Sequence, residues 1–307
     1  MTATVIRNAR WADAAPTLSV LTPFKGDDPT PLLAALAQEA GVAAELVLLD
    51  DGSGDAALAA RVEAGILASP LPACFIRLER NEGRSKGRNR LAAMARGRHL
   101  LFLDSDMLPD SHRFLARYAE LIEREDPAVV FGGFSVHQAP ERPDHALHRA
   151  MALRSDCLPA SARSLDPGKH VFTSNLLVRR DVFEAEAFDE GFSGWGWEDV
   201  EWGVRVARRW PVLHIDNTAT HLGLDTARTI AAKYEQSAGN FARILATHPE
   251  AVTRYPTYRA ARMLKRAPLR GVWRPVLKAL ATADLGPVAP RAFAMRLYRA
   301  ALYADAV

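Results

Sequence analysis

Up to about residue 130 the chain alternates short apolar runs with longer amphipathic stretches, and that rhythm predicts the fold class. Leu18 to Thr22, Glu45 to Asp50, Ala73 to Leu78 and His99 to Leu103 each read as a strand, the first ended by Pro23. Their apolar positions follow one another without polar alternation, as in strands buried on both faces of a parallel sheet. Helical stretches lie between and after them, from Pro29 and Pro31 to about Ala40, Asp55 to about Leu67, Arg84 to Arg96, and Pro109 to Glu123. Asp110 or Ser111 opens the last of these. Strand and helix at this spacing make βαβ units, hence an α/β protein with a mostly parallel central sheet flanked by helices. Residues 1–16 read as an irregular leader or an added edge strand.

After a further strand, Val129 to Phe134, the alternation fails. Residues 137–167 hold four prolines and mixed charge, which predicts an insertion lying over the sheet edge. Val171 to Arg179 reads as a strand, Asp181 to Ala187 as a short helix and Ser193 to Trp197 as a Gly/Trp loop. Glu198 to Arg209 is predicted helical with an acidic first turn, as the helix dipole favours. Val212 to Ile215 reads as a short strand, and beyond Asp225 the chain reads as helical, interrupted near Pro249, Pro256, Pro268 and Pro287. The division expected is a domain over 1–224 and a basic helical extension over 225–307.

Composition changes this picture only through charge. Residues 251–307 carry 11 Lys/Arg against 2 Asp/Glu, while the rest carries 28 against 34, so an acidic body bears a basic tail. In that tail Val272, Trp273, Val276, Leu277 and Leu280 fall at helical spacing beside Arg274 and Lys278. Phe293, Leu297 and Tyr298 repeat the pattern with Arg291, Arg296 and Arg299. Such helices can lie on an anionic membrane surface or pack on the body with their cations solvated; the second reading is slightly favoured. Aromatic and basic residues do not interleave on a recognisable nucleic-acid module, so no nucleic acid is expected as partner. Cys74 and Cys157 match neither a disulfide framework nor zinc spacing. With no apolar leader and no run of ~18 apolar residues, the expected location is the cytoplasm, peripheral at the inner face of the membrane if the tail binds lipid.

The chemistry gathers where predicted strands or loops end, at Asp50-Asp51-Gly52-Ser53, Asp104-Ser105-Asp106 and Trp195-Gly196-Trp197-Glu198-Asp199. In an open α/β sheet ligands sit outside the carboxyl ends of the strands. Carboxylates converging there repel one another unless a cation or a ligand donor lies between them. A divalent metal with a phosphorylated, hydroxyl-rich ligand is the simplest account. Asp50-Asp51-Gly52 alone is ordinary turn punctuation, and a lone Asp-x-Asp is common by chance. Asn81-Glu82-Gly83 with Arg84, Lys86, Arg88 and Asn89 puts a turn and three cations at a helix start, an anion site or a solvated basic face. Neither P-loop spacing nor G-x-G-x-x-G occurs. Two tryptophans interleaved with glycines suit a sugar ring better than a core, and a neighbouring carboxylate can act as general base. His221, in a loop after a short strand, is a candidate metal ligand beside Asp-x-Asp, whereas His214 reads as structural.

In order, Val20-Leu21-Thr22-Pro23 with Lys25, Leu48-Leu49-Asp50-Asp51-Gly52-Ser53, Asn81-Glu82-Gly83, Leu103-Asp104-Ser105-Asp106 and Gly194 to Asp199 resemble the family-2 glycosyltransferases of the GT-A fold. The last piece is similar to the acceptor motif of chondroitin-polymerase-like and galactosyltransferase-like members. The resemblance spans about 17–224. It implies inverting transfer from a nucleoside-diphosphate sugar, with UDP expected, to a carbohydrate or glycoconjugate acceptor. It also implies Mn²⁺ or Mg²⁺. Pro23, Asp50 and Asp51 would contact uracil and ribose; Arg84, Lys86 and Asn89 would hold the nucleotide. Asp104 would face ribose and metal, and Asp106 and His221 would bind the metal. Trp195, Trp197 and Glu198 would line the acceptor, with Asp199 as catalytic base. A sugar-nucleotide nucleotidyltransferase and a non-catalytic carbohydrate-binding relative are the alternatives. Glu186-Ala187 stands where the family often has Gly-Gly, and the tail after Asp225 has no counterpart.

Overall fold

The computed structural model describes residues 3–283 and 285–307. Its strands are β1 (Ala3–Arg7), β2 (Leu18–Phe24), β3 (Ala44–Asp50), β4 (Ala73–Leu78), β5 (His99–Leu103), β6 (Met107–Pro109), β7 (Val129–Phe131), β8 (Phe134–Ser135), β9 (Asn175–Arg179), β10 (Val212–His214) and β11 (Ala219–His221). Helices α1 (Thr30–Ala37), α2 (Ala56–Ala68), α3 (Arg84–Met94) and α4 (Phe114–Glu125) alternate with the first strands. The middle of the chain carries α5 (Ala146–Ser155), α6 (Ala160–Arg163), α7 (Arg180–Ala185) and α8 (Glu198–Val206). The remainder is α9 (Ala227–Thr247), α10 (Pro249–Val252), α11 (Pro256–Lys265), α12 (Arg270–Thr282) and α13 (Val288–Tyr303).

The main sheet runs β1-β4-β3-β2-β5-β9-β7-β10, and β6-β11-β8 form a small second sheet beside its carboxyl edge. β4, β3, β2 and β5 are parallel neighbours, while β9 is antiparallel to both β5 and β7. Unbroken apolar runs work here because each strand feeds two cores. Leu46, Leu48, Leu101 and Leu103 join one cluster, while Val47, Leu49, Leu100 and Phe102 join the other. The α/β class with a mostly parallel sheet holds.

Residues 3–7 took the edge-strand option, pairing antiparallel with β4. Asp55 caps α2, accepting from the Ala57 and Leu58 amides. The helix expected from Pro109 starts at Phe114, because Pro109 is drawn into β6 to pair with Ala219. The strand expected from Val171 is regular only from Asn175. Pro249 and Pro256 open α10 and α11, and Pro287 caps α13, so three of the expected interruptions are helix starts.

The stretch after residue 224 is not a loose appendage. α9 and α13 share a buried cluster with Leu147 of α5, through Ile230, Tyr234, Met295 and Tyr298. Phe241 and Tyr303 bury Phe192 and Trp197 in another.

Candidate active site

Strand ends build the first wall. β3 delivers Asp51 to the carboxyl edge, where its carboxylate accepts from Asn81 Nδ2 at 2.7 Å and from the amides of Glu82 and Gly83 at 2.7 and 3.1 Å. Gly52 permits that contact: its φ is +72°, and a Cβ there would stand 2.5 Å from the Asn81 nitrogen. Asp50 is buried instead, accepting from the Ser53 amide with Oδ1 while Oδ2 has no partner. β5 delivers Asp104, which accepts from Arg88 Nη2 at 3.0 Å. Asp106 follows it, with Oδ2 3.0 Å from His221 Nε2 at the end of β11.

The Gly/Trp loop and α8 build the second wall. Gly194, Gly196 and Trp197 all have positive φ, at 72°, 88° and 77°. For tryptophan that conformation is strained, and surrounding contacts must hold it. Asn240 of α9 does so, donating to the Ser193 and Gly196 carbonyls at 2.9 and 2.8 Å. The Trp197 indole donates to Tyr303 Oη at 3.0 Å. The loop ends at Glu198 and Asp199, the first residues of α8.

Both walls face one crevice of two adjoining cavities. One, of about 470 Å³, is lined by Pro23, Asp51, Arg84, Arg88, Asp104 and Asp106, with Lys25, Gln236 and Lys233 also facing it. The other, of about 320 Å³, is lined by Asp106, Trp195, Trp197, Glu198, Asp199 and His221, together with Tyr234 and Arg299. Arg84, Asp104, Asp106, Trp195 and Lys233 line both. The acidic clusters and His221, up to 170 residues apart in sequence, thus converge.

Not every expected residue reaches the crevice. Lys86 is exposed on α3 and lines neither cavity. Asn89 faces the second wall's base instead, pairing through its amide with the Phe188 backbone and Glu190. Arg88, one turn on from Arg84, occupies the position that faces inward. The Trp197 indole is 6% exposed and packs against Phe241, Tyr255 and Tyr303, so most of it is core. Lys233, Gln236, Tyr234 and Arg299 went unforeseen. All lie on α9 or α13, where an amphipathic pattern gives no hint that one face meets a crevice.

The electrostatics separate the carboxylates. Burial, then the neighbouring Glu198, push Asp199 up to about 7, with Arg88 acting against them. Burial pushes Asp106 up too, but the His221 hydrogen bond and charge outweigh it and hold it below the usual range. His221 is correspondingly raised, the Asp106 contact overcoming its own burial.

Asp106 offers an oxygen donor of the kind Mn²⁺ or Mg²⁺ accepts, and the His221 nitrogen suits a transition ion such as Mn²⁺ better than Mg²⁺. A Cβ on Gly223 would fall 2.1 Å from Asp106 Oδ2, so a larger residue there would displace that carboxylate from its place beside His221. Among the described residues no three His, Cys, Asp or Glu side chains are gathered closely enough to hold an ion unaided. The pair therefore fits an open site completed by ligand oxygens, not a closed one.

The Glycosyl transferase family 2 profile matches residues 27–186, from the loop after β2 to the end of α7. An uncharacterized glycosyltransferase of Bacillus subtilis (strain 168), YfnE, is 26% identical over 221 residues, 57% of this chain and 55% of the relative. The chain thus spans about half the length of that curated relative. Among solved structures, the mannosyltransferase PcManGT from Pyrobaculum calidifontis, in complex with GDP-Man and Mn²⁺, superposes with a TM-score of 0.55 at 14% identity. That match covers 97% of this chain and 89% of the other. S. aureus TarS 1–349 in complex with UDP gives 0.50 at 16% identity over 94% and 90% of the two chains. At such identities the structures speak for the GT-A fold alone. With its family profile matched over half its length, the chain belongs to glycosyl transferase family 2.

Proposed function

We propose that this enzyme moves a sugar from a nucleoside-diphosphate sugar, UDP being the first expectation, to an acceptor hydroxyl with inversion, in polysaccharide or glycoconjugate synthesis. One observation carries the reading: Asp199, an acid pushed up to about 7, lines the same cavity as Asp106 and His221. The larger cavity takes the nucleotide between Pro23 and Asp51, with Arg84 and Lys233 facing the diphosphate. The smaller takes the acceptor, beside Trp195, Glu198 and the edge of Trp197. Asp199 accepts the hydroxyl proton as that oxygen bonds to the anomeric carbon, whose bond to the diphosphate breaks on the opposite face. A divalent cation held by Asp106 and His221 would neutralise charge on the leaving diphosphate. Membership in glycosyl transferase family 2 weighs against the nucleotidyltransferase reading, and the gathering of Asp106, Asp199 and His221 about one cavity weighs against a non-catalytic relative.

Thermal unfolding with UDP- and GDP-sugars, with and without Mn²⁺, tests this. One donor raises Tm only when Mn²⁺ is present, by mass action on the native state. If none does, and none is hydrolysed, the reading fails.

A specific observation also favours a location. Among the described residues, seven of twelve large exposed hydrophobic side chains fall between 263 and 293: Met263, Leu269, Val272, Val276, Leu280, Leu285 and Phe293. The same span carries six Lys/Arg against one Asp. No described helix is long and apolar enough to cross a membrane. This span, rich in exposed apolar side chains and cations, therefore fits peripheral contact with an anionic bilayer. The full chain should pellet with phosphatidylglycerol vesicles and not with phosphatidylcholine ones, and Val276→Asp with Leu280→Asp should abolish that. Failure to pellet with either overturns it.

A further inference from the structure

One buried cation joins the two walls of the crevice. Arg88 sits on α3, and its side chain is 2% exposed. Gly87 seats that helix on β3, since a Cβ there would already stand 3.2 Å from Leu49 Cδ2. From this fixed position Arg88 Nη2 donates to Asp104 Oδ1 at 3.0 Å, while Nη1 lies 3.6 Å from Glu198 Oε1. The second contact is an ion pair without a hydrogen bond: Nη1, Nε and Glu198 Oε2 all lack hydrogen-bond partners. The arrangement places a guanidinium, hydrogen-bonded on one side to Asp104, beside two successive carboxylates, Glu198 and Asp199.

We infer that Arg88 is a positioning residue for the base: its guanidinium, shared between Asp104 and Glu198, offsets the paired acids at the start of α8 and keeps Asp199 ionised in the working pH range. This rests on reading Asp199 as the base. The charged groups bearing on Asp199 are Glu198 on its own helix and Arg88 and Arg84 on α3. Its remaining hydrogen bond is from the Val200 amide at 2.8 Å. Arg84 lines both cavities and faces the ligand space, leaving Arg88 as the cation within 4 Å of the acid pair among the described residues.

The test is a ¹³C carboxyl NMR titration of aspartate-labelled protein, with the Asp199 signal assigned by its loss in Asp199→Asn. Arg88→Met should move the Asp199 midpoint up by about one pH unit or more, since removing an opposite charge favours the neutral acid. Arg88→Lys should hold it within about half a unit. Glu198→Gln should move it down, and adding Glu198→Gln to Arg88→Met should return it toward wild type. A role confined to stability would lower Tm in Arg88→Met without moving the midpoint, which overturns the inference. Should Arg88→Met not fold, Glu198→Gln decides: an unmoved midpoint there means the acid pair is not charge-coupled and also overturns it. The titration needs no substrate, so it stands apart from the base assignment. Retained turnover in Asp199→Asn would remove the base while leaving the charge coupling intact.

Discussion

On the strand side of the crevice, Asp51, Asp104 and Asp106 follow strands buried on both faces; on the opposite side, Asp199 follows a loop held by helices about forty to a hundred residues downstream. The first wall is stiff because β3 and β5 have paired neighbours on both sides. The second takes its shape from Asn240 and Tyr303, which hold a loop whose backbone is strained at Trp197, the one non-glycine among its three positive φ angles. Damage to the strand wall should therefore be local to the group removed. Damage to the loop wall can come from far away.

The largest expected effect is at the end of the loop wall. Asp199→Asn should lower turnover by ~10²–10⁴-fold while leaving donor binding intact, measured by steady-state kinetics beside nucleotide-sugar titration. The wild-type rate should rise with pH and level above about 7, where Asp199 is ionised. Stability runs the other way. A carboxyl raised to about 7 binds its proton more tightly folded than unfolded, so between about pH 4 and 7 stability falls as pH rises. Above pH 7 Asp199→Asn should thus unfold at higher temperature than wild type, an inactive but more stable protein.

Next comes the strand wall. Asp106→Ala should lose Mn²⁺-dependent protection by the donor, yet leave the fold and the loop unchanged by circular dichroism. If it also freed the Gly/Trp loop, the two walls would not be separable. The third effect sharpens the contrast most. Asn240→Ala removes two hydrogen bonds to loop carbonyls and a third from the Ser193 amide, worth about 2–4 kcal/mol together. It should lower kcat about tenfold while donor KM stays within about twofold. Equal losses in both would mean that α9 supports the strand wall as well.

The same contrast explains what could be read in advance. The strand-end carboxylates were legible because an apolar run and the polar residues ending it are local in sequence. Lys86 shows the limit: three cations in one helical turn and a half looked alike, and only the seating of α3 on β3 turned Arg88 inward and Lys86 to solvent. Asn89 looked like a nucleotide contact, yet its partners, Phe188 and Glu190, lie a hundred residues on. Trp197 reads as sugar platform from its glycine neighbours, while its indole is enclosed by Phe241, Tyr255 and Tyr303.

The amino-acid order by itself determined the α/β class and the acids at the ends of β3 and β5, because burial on both faces leaves its mark residue by residue. It also marked Glu198 and Asp199 at the opening of a helix. What only the tertiary structure decided is how the chain beyond residue 224 completes the crevice, through Lys233, Asn240, Arg299 and Tyr303. An amphipathic helix states in its sequence that one face is buried; what that face is buried against depends on where the rest of the chain has already folded.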